Sequence, residues 1–430
     1  MSRIELDDIR REVEGRKGEI LDWAQELIRF PSENRPPDGN EGVAQDFIAD
    51  SCRRIGLEVD EFTPTSVSGI TKHTSWLKGR NYPDDRRNVV GLWKGSGGGR
   101  SLLLSGHIDV APYEPDNWEV TRPFSPVVRE GRLYGRGAAD LKGGLTAAFM
   151  AVKLLREIGF EPRGDILFES LVDEEFAGGN GTLAARLKGY NADLALLTEP
   201  TRMELCPACL GAFLGDLTLH GRAGIPYMGF SIPSPIFGAA RAIELFGRWQ
   251  EEWREQNSHP LFADSGKELN VVLWNIDSRT PGEFTQLGIP LITKISWVVW
   301  CYPGMTEEEF YRQFERYWQE AASRDELLKL FTLDLKRTYH YVRAWETDRD
   351  ADAVKCLVEA YGAYTGGKAP VGGAPFSCDM AIYGEHMPVM ILGPHGDNLH
   401  APDEWVLVDD LFTLTGIFAW LAVQWCDRTK

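Results

Sequence analysis

The chain is short of positive charge. Its 46 Lys and Arg residues are outnumbered by 64 Asp and Glu residues, which gives a net charge of -18 and a pI near 5.0. Nucleic acids and anionic membranes bind basic surfaces through phosphate contacts, and an acidic surface repels both. We therefore expect neither of them as a partner.

The chain also lacks a long apolar run. The segment 1–23 is charged throughout and has no apolar h-region, so it does not predict a secretory signal. The most apolar stretch, 411–426, contains Thr and Gln and is shorter than the roughly 20 residues that a bilayer span needs. It predicts a core helix near the C-terminus instead.

Cysteine is scarce, and its pattern does not suggest pairing. Seven cysteines, an odd number, are scattered over 430 residues, which argues against a disulfide framework and for a reducing compartment, the cytoplasm. The segment CPAC at 206–209 has the spacing of a metal or redox pair, but no second CxxC accompanies it. We interpret these as two loop cysteines.

The first half of the chain predicts an α/β domain. A length of 430 residues suggests two domains, and 43% hydrophobic with 26% charged residues is ordinary for a globular protein. After two amphipathic helices, β-like runs such as NVVGLW and SLLLSG alternate with helical runs such as LTAAFMAVKLLREIGF. This alternation predicts a mostly parallel sheet with helices on both faces over 1–210.

The rhythm changes in the middle of the chain. Long strand-like and helix-like runs follow one another over 211–335 without the βαβ alternation, which predicts a smaller inserted α+β domain. The α/β pattern resumes over 336–430. The first domain is therefore predicted to be discontinuous.

Acidic and histidine residues follow the predicted strands of the first domain. In open α/β sheets, sites form just beyond the carboxyl ends of the strands, so these residues form one candidate site. If the strand that ends near His107 continues, His107 and Asp109 lie on one face of it. The members are His107 and Asp109 in SGHIDV, Asp140 in GRGAADLKGG, Glu174 and Glu175 in DEEFAGG, Glu199 in LLTEP, and His400 in NLHAPDEW.

This set of side chains predicts a divalent metal site. Imidazole and carboxylate ligands suit zinc, manganese or cobalt, and a carboxylate can bridge two ions about 3.5 to 4 Å apart. A bound metal lowers the pKa of water from about 15.7 towards 7. Catalysis then needs a base that moves the proton and is not itself a ligand.

Each residue taken singly also has a simpler interpretation. Asp140 could be a helix N-cap, and Glu174 with Glu175 could form a solvated loop. Glu199 could be a turn residue and Asp109 a surface acid, while either histidine could be satisfied at a strand end. Seven such residues at strand ends favour a shared function.

The segments that carry these residues resemble a known family. They are similar to the successive signature segments of the metal-dependent amidohydrolases and peptidases that include acetylornithine deacetylase, succinyl-diaminopimelate desuccinylase and carboxypeptidase G. The resemblance extends from FPSENRPPDGNEG to DEWV, nearly the whole chain. It implies a hydrolase of carbon-nitrogen bonds in small molecules, with a catalytic domain interrupted by a lid through which such proteins commonly form homodimers.

The resemblance also implies a role for each residue. His107 and Glu199 would bind one metal ion and Glu175 and His400 the other, with Asp140 bridging them. Two further carboxylates would act without binding metal: Asp109 would orient the imidazole of His107, and Glu174 would be the general base. Asp173 would be structural, and His395 is a competitor for the place of His400.

One departure from the family leaves the reaction open. The lid of these proteins commonly supplies a histidine that stabilises the tetrahedral oxyanion formed from an amide. This chain has Ile225 at the corresponding position, and Tyr227 is a candidate replacement. The first hypothesis is hydrolysis of an N-acyl amino acid type of amide. The second, suggested by the lost histidine and by Trp274, Trp297 and Trp300, is release of ammonia from an electron-poor aromatic amine, as in the 5-nitroanthranilate aminohydrolase branch. The third is a metal-free binding protein on the same fold.

Overall fold

The computed structural model describes residues 4–113, 117–176, 179–222, 224, 231–264, 266–280, 288–337 and 341–429. The chain forms two compact units. The first comprises Met1–Ala208, Glu346–Gly373 and Cys378–Lys430, and the second comprises Cys209–Trp345 and Ala374–Ser377.

The described residues form ten α-helices and nineteen strands. The helices are α1 (Leu6–Gly15), α2 (Lys17–Ile28), α3 (Gly42–Arg54), α4 (Gly143–Glu157), α5 (Asn180–Lys188), α6 (Pro235–Gln256), α7 (Glu307–Arg324), α8 (Asp352–Thr365), α9 (Met380–Gly384) and α10 (Val408–Cys426). The strands are β1 (Asn34–Arg35), β2 (Asp38–Gly39), β3 (Glu58–Phe62), β4 (Asn88–Trp93), β5 (Leu102–His107), β6 (Val127–Arg129), β7 (Arg132–Tyr134), β8 (Ile166–Leu171), β9 (Leu194–Leu197), β10 (Leu205–Cys209), β11 (Gly211–His220), β12 (Val271–Arg279), β13 (Ile292–Cys301), β14 (Thr332–Arg337), β15 (Trp345–Glu346), β16 (Val371–Ala374), β17 (Val389–Ile391), β18 (Gly396–Asp397) and β19 (Trp405–Leu407).

The first unit is built on a mixed sheet. Its strands run in the order β15-β10-β17-β9-β5-β8-β4-β3, with β16 also paired to β10. The four central strands, β17, β9, β5 and β8, are parallel to their neighbours within that group, whereas β4, β3 and β10 are antiparallel to theirs. The predicted α/β class is confirmed, and the parallel arrangement applies to the centre of the sheet.

The core of the first unit follows from the apolar composition of its helices and strands. Leu102 and Leu104 of β5 lie in one large cluster with the buried faces of α4 and α10. The helix α10 covers the apolar stretch near the C-terminus and is buried along most of its length, as expected for a core helix. In the described part of the chain, no helix is long and apolar enough to cross a membrane.

The cysteines differ from the prediction in one respect. Cys206 and Cys209 lie on strand β10 and are buried, so they are not loop residues. All seven cysteines lie among the described residues, and none of them forms a disulfide bond. The CPAC segment is part of the buried sheet, which explains its apolar neighbours.

Parallel strands bring the functional segments to one edge of the sheet. The strands β5, β8, β9 and β17 all end at the same edge because they run in the same direction. The ends of these strands and the segments that follow them carry all the predicted acids and histidines except Asp140, which lies in the turn before α4. Strand β5 ends at His107, so Asp109 lies in the segment after the strand and not on its last face.

The second unit is an α+β structure with an aromatic core. Its antiparallel sheet has the order β12-β13-β11-β14. The predicted domain boundary between residues 335 and 336 falls within β14, which pairs with β11, and the unit continues to Trp345. Aromatic side chains of α6, α7, β11 and β13 fill its interior: Phe213, Phe246, Trp249, Trp253, Trp297, Phe310, Phe314 and Trp318.

Candidate metal centre

Three side chains from separate elements form a buried cluster, here called the inner group: His107, Asp140 and Glu199. His107 is the last residue of β5, and Glu199 lies two residues beyond the end of β9. His107 Nε2 lies 3.2 Å from Asp140 Oδ1 and 3.7 Å from Glu199 Oε1. One ligand atom from each residue lies within 4.8 Å of the others, which is close enough for a single cation.

A second cluster, the outer group, consists of Asp140, Glu175 and His400. His400 Nε2 lies 3.0 Å from Glu175 Oε2 and 3.2 Å from Asp140 Oδ2. The other carboxylate oxygen of Glu175 accepts a hydrogen bond of 2.8 Å from the backbone N–H of Ala111. His400 sits in a loop with a left-handed φ of 58° and has 54% of its side chain exposed.

Asp140 belongs to both groups and turns one oxygen towards each. It lies in a tight turn just before α4, and the N-cap of that helix is Lys142, so the N-cap interpretation of Asp140 is wrong. The backbone N–H of Asp140 donates a hydrogen bond of 3.1 Å to Glu404. The turn thus holds a shared carboxylate between two histidines.

Glu174 lies beside the inner group but is not part of it. Its Oε2 is 3.8 Å from His107 Nε2. A small cavity of about 10 Å³, near the space that one water molecule needs, adjoins it. The polar residues lining that cavity include Glu174, Glu199, Thr182, Asp379 and Tyr383.

Asp109 is fully buried and supports several of these residues at once. Its carboxylate accepts hydrogen bonds from the backbone N–H groups of Glu174, at 3.2 Å, and Glu175, at 3.0 Å. The same carboxylate is 3.5 Å from His107 Nδ1, whereas the backbone carbonyl of Asp109 is closer to that nitrogen, at 2.8 Å. Asp109 therefore orients His107 with its backbone carbonyl. Its side chain orients the segment 173–175, here called the acidic turn.

The electrostatics of the site follow from burial and crowding. Burial raises the pKa of Glu174 well above its usual value, although the nearby His107 opposes that shift. Burial likewise raises the pKa of Glu199. Burial lowers the pKa of His400, but hydrogen bonds with Asp140 and Glu175 outweigh it and raise the pKa to about 11. Negative charge is concentrated here, and a cation would relieve it.

The donor set fits divalent metal ions. Imidazole nitrogens and carboxylate oxygens are ligands of zinc, manganese and cobalt, and a carboxylate shared by two clusters is the arrangement of two-metal hydrolases. The inner and outer groups provide two histidines and three acids in that arrangement. All five residues predicted as ligands thus lie in these two groups.

Asp173 and His395 belong to neither group. Asp173 is buried and accepts a hydrogen bond of 3.0 Å from Arg86, and His395 is paired with Asp410 at 2.7 Å. Ile225 and Tyr227 lie outside the described residues. In the second unit Trp297 is buried among aromatic rings, while Trp274 is 56% exposed.

Two supporting residues were missed in the sequence. Glu404 accepts backbone hydrogen bonds from Gly137, Ala139 and Asp140 and so holds the turn that carries the shared carboxylate. Its place in HAPDEW, four residues after His400, was the available signal. The other is Asn34, whose only signal was its position in the segment FPSEN.

Comparison with known proteins finds a matching family model, and relatives that match nearly the whole chain. The family model of peptidase family M20/M25/M40 matches residues 103–424. The N-formyl-4-amino-5-aminomethyl-2-methylpyrimidine deformylase of Halalkalibacterium halodurans is 26% identical over 99% of this chain and 98% of its own length. The succinyl-diaminopimelate desuccinylase of Methylobacterium radiotolerans is 29% identical over 93% of this chain and 94% of its own.

A solved structure shows the same fold. The YXEP protein of Bacillus subtilis, described as a dinuclear metal binding peptidase, has a TM-score of 0.61 and 16% identity, over 96% of this chain and 98% of that one. The relatives support amide hydrolysis and give no support to the aromatic aminohydrolase or metal-free alternatives. Because the family model spans well over half of the chain, the protein belongs to peptidase family M20/M25/M40, and it is a metal-dependent hydrolase that acts on amide C–N bonds.

Proposed function

We propose that the inner and outer groups each bind one divalent cation, zinc being favoured and manganese or cobalt the alternatives. His107 and Glu199 would bind the first, Glu175 and His400 the second, and Asp140 both. The observation that carries this proposal is the division of the Asp140 carboxylate, with Oδ1 near one histidine and Oδ2 near the other. When bound, such ions polarise a carbonyl oxygen and lower the pKa of water towards about 7.

Glu174 is proposed as the general base. Its carboxylate takes the proton from the attacking water and returns it to the departing amine nitrogen, so it must be near both groups without being a ligand. Its position 3.8 Å from His107 Nε2, outside both clusters, supports this role. The backbone N–H of Glu174 is bonded to Asp109, which fixes the turn from which the side chain extends.

The proposed substrate is a small N-acyl amine whose acyl group carries no carboxylate. Proteins of the family often carry arginines that bind a substrate carboxylate in the segments that correspond to 295–304 and 372–383. Neither segment of this chain contains an Arg or Lys, which supports this proposal. The full-length similarity to a deformylase points in the same direction, towards a short acyl group. We therefore expect N-formyl and N-acetyl amines to be hydrolysed faster than N-succinyl amines.

The test is turnover in ¹⁸O-labelled water with zinc or manganese supplied. The panel contains N-formyl, N-acetyl and N-succinyl derivatives of an arylmethylamine and of an amino acid, together with an electron-poor aminoarene. We expect label in the released carboxylate, most rapidly with the short acyl groups. Faster release of succinate would contradict the proposed substrate class. Label in a phenol, with ammonia released, would contradict amide hydrolysis.

A matched variant makes this test specific. Glu174→Gln keeps the shape of the side chain but cannot accept the proton, so labelled product should disappear while metal content stays normal. If the variant retained wild-type turnover, the observed activity would not come from the proposed base.

We further propose that the protein is a homodimer formed through the second unit. Strand β12 is an edge strand of its sheet, and Val272, Trp274 and Ile276 expose 43%, 56% and 51% of their surfaces there. Exposed apolar groups on an edge strand favour pairing with another chain. Trp274→Asp should convert dimer to monomer in sedimentation analysis, whereas Val127→Asp, an exposed valine of the first unit, should not. A wild-type monomer would contradict the proposal.

The cysteines, none of which forms a disulfide bond, support a place in the reducing cytoplasm. All seven cysteines are buried and none is bridged. Fractionation of the native host should therefore recover the protein with cytoplasmic markers, and recovery with extracellular proteins would contradict this assignment.

A further inference from the structure

Asn34 has a buried side-chain amide that contacts Asp109 and two residues of the acidic turn. Its Nδ2 lies 2.9 Å from Asp109 Oδ2, 3.2 Å from Asp173 Oδ1 and 3.2 Å from the backbone carbonyl of Glu175. The side chain has no exposed surface. One amide group therefore links the carboxylate behind His107 with the backbone that presents Glu174 and Glu175.

The local backbone explains why Asn34 reaches this place. The segment before it runs parallel to the segment that follows β5, through a bridge between Glu33 and Val110. The N–H of Asn34 donates to the carbonyl of Val110 at 3.0 Å, and the N–H of Val110 donates to the carbonyl of Ser32 at 2.9 Å. This pairing puts Asn34 beside Asp109.

The orientation of the amide is set by a buried arginine. Arg86 Nη2 donates to Asn34 Oδ1 at 3.2 Å and to Asp173 Oδ1 at 3.0 Å. Arg86 Nε donates to Glu41 at 3.0 Å, and its Nη1 donates to the carbonyl of Asn81 at 3.0 Å. Because the guanidinium can only donate, Asn34 must turn its oxygen towards Arg86 and its NH₂ towards the carboxylates.

We infer that Asn34 is a positioning residue of the metal centre. Its NH₂ group fixes the Asp109 carboxylate, which in turn holds the N–H groups of Glu174 and Glu175. This inference rests on the ligand assignment proposed above. It extends that assignment to Asn34, which contacts no proposed ligand side chain directly. Asn34 acts through the side chain of Asp109 and the backbone carbonyl of Glu175.

The contacts predict an effect that differs between the two groups. Glu175 depends on Asn34 twice, through its carbonyl and through Asp109, which accepts from its N–H. His107 is held at Nδ1 by the backbone carbonyl of Asp109 at 2.8 Å, and Glu199 follows a different strand. Loss of the Asn34 amide should therefore weaken the outer group more than the inner group.

The experiment is a titration of metal-free protein with cobalt(II), followed by visible absorption and by isothermal calorimetry. Asn34→Ala removes the whole amide, and Asn34→Asp keeps its shape and the acceptor for Arg86 while removing both donors. Loss of a residue that supports a ligand typically costs about 10- to 100-fold in metal affinity. We expect this loss in the affinity for the second equivalent of cobalt, together with an altered absorption spectrum. The affinity for the first equivalent should change little.

Gln45→Leu is the matched control. Gln45 is also a fully buried amide, but its Nε2 donates to the backbone carbonyl of Ser170 at 2.8 Å and not to the acidic turn. The control should lower the melting temperature without changing the cobalt spectrum or either affinity. An effect of Gln45→Leu equal to that of Asn34→Ala would mean that the change is a general loss of stability, which would overturn the inference.

The outcomes separate this inference from the ligand assignment. If wild-type protein binds fewer than two equivalents of cobalt, the assignment of the two groups is wrong. If wild-type protein binds two and both Asn34 variants bind two with wild-type affinity and spectrum, only the positioning role is wrong. Should neither variant fold by circular dichroism, Arg86→Lys, which removes the donor to Asn34 Oδ1, should show the same selective loss, and wild-type binding by that variant would also overturn the inference.

Discussion

The inner and outer groups share one carboxylate but differ in how the chain supports them. In the inner group His107 has 2% of its side chain exposed and Glu199 has 9%. In the outer group the side chain of Glu175 is 4% exposed, whereas that of His400 is 54% exposed. The first pair extends from the ends of neighbouring parallel strands, and the second depends on a loop histidine with a left-handed φ.

This difference indicates a division between a fixed site and an adaptable one. Buried ligands at strand ends are held by the surrounding core, so their positions do not depend on the ion. A half-exposed loop ligand is more easily displaced by local opening. We therefore expect the inner cation to be retained when the outer one is lost.

The largest expected effect separates Glu174 from Glu175, two adjacent acids for which different roles are proposed. Loss of a general base typically costs about 10² to 10⁴ in rate, so Glu174→Gln should lose turnover by that factor and keep two metal ions. Glu175→Gln should lose the outer ion as well. Metal analysis with steady-state kinetics checks both, and loss of metal from Glu174→Gln alone would mean that the two roles are reversed.

Metal removal should reveal the two groups in sequence. Increasing chelator concentration should first release one equivalent of metal, from the outer group. His400→Ala should contain only the inner ion, which is released more slowly. A ligand at about a thousand times its Kd stabilises a folded protein by about 4 kcal/mol. Calorimetry should show a fall in Tm when both ions are removed and a smaller fall in Tm when only the first ion is removed. Simultaneous release of both ions would contradict the difference between the groups.

A variant at Glu404, which supports the turn that carries the shared carboxylate of Asp140, should affect both groups together. Glu404 accepts the N–H groups of the turn around Asp140 and pairs with Arg136 at 2.8 Å. Glu404→Gln should therefore weaken both cobalt affinities by about 10- to 100-fold. A change in one affinity alone, measured by calorimetry, would show that Asp140 is not equally shared.

The smallest effect is expected at His395. Its imidazole is paired with Asp410 and lies outside both groups. His395→Ala should keep two metal ions and change the free energy of unfolding by about 0.5 kcal/mol or less. If this variant lost the outer ion and His400→Ala kept both ions, the histidine ligand of the outer ion would be His395 and not His400.

Much of this site could be predicted because strand order determines where side chains meet. His107, Glu175 and Glu199 follow strands that the apolar runs identify, and parallel strands bring them to one edge. Asp140 and His400 were placed in the same candidate site from their predicted positions, but the assignment of Asp140 as the shared ligand and of His400 as an outer ligand came from the family resemblance. The class of fold was predictable for the same reason.

The supporting residues could not be predicted from patterns of this kind. Asn34 reaches the site through a single bridge to Val110, a contact between segments far apart in the sequence. Asp109 was expected to orient His107 with its carboxylate, but the backbone carbonyl is the closer group. Both depend on tertiary geometry that no local periodicity records.

The most direct test is anomalous diffraction from crystals of the wild-type protein grown with zinc. We predict two peaks, one at about 2.0 to 2.2 Å from ligand atoms of His107 and Glu199 and one at the same distance from Glu175 and His400, with one oxygen of Asp140 bound to each. Glu174 should be bound to neither. A single peak, or a peak coordinated by Glu174, would contradict the account.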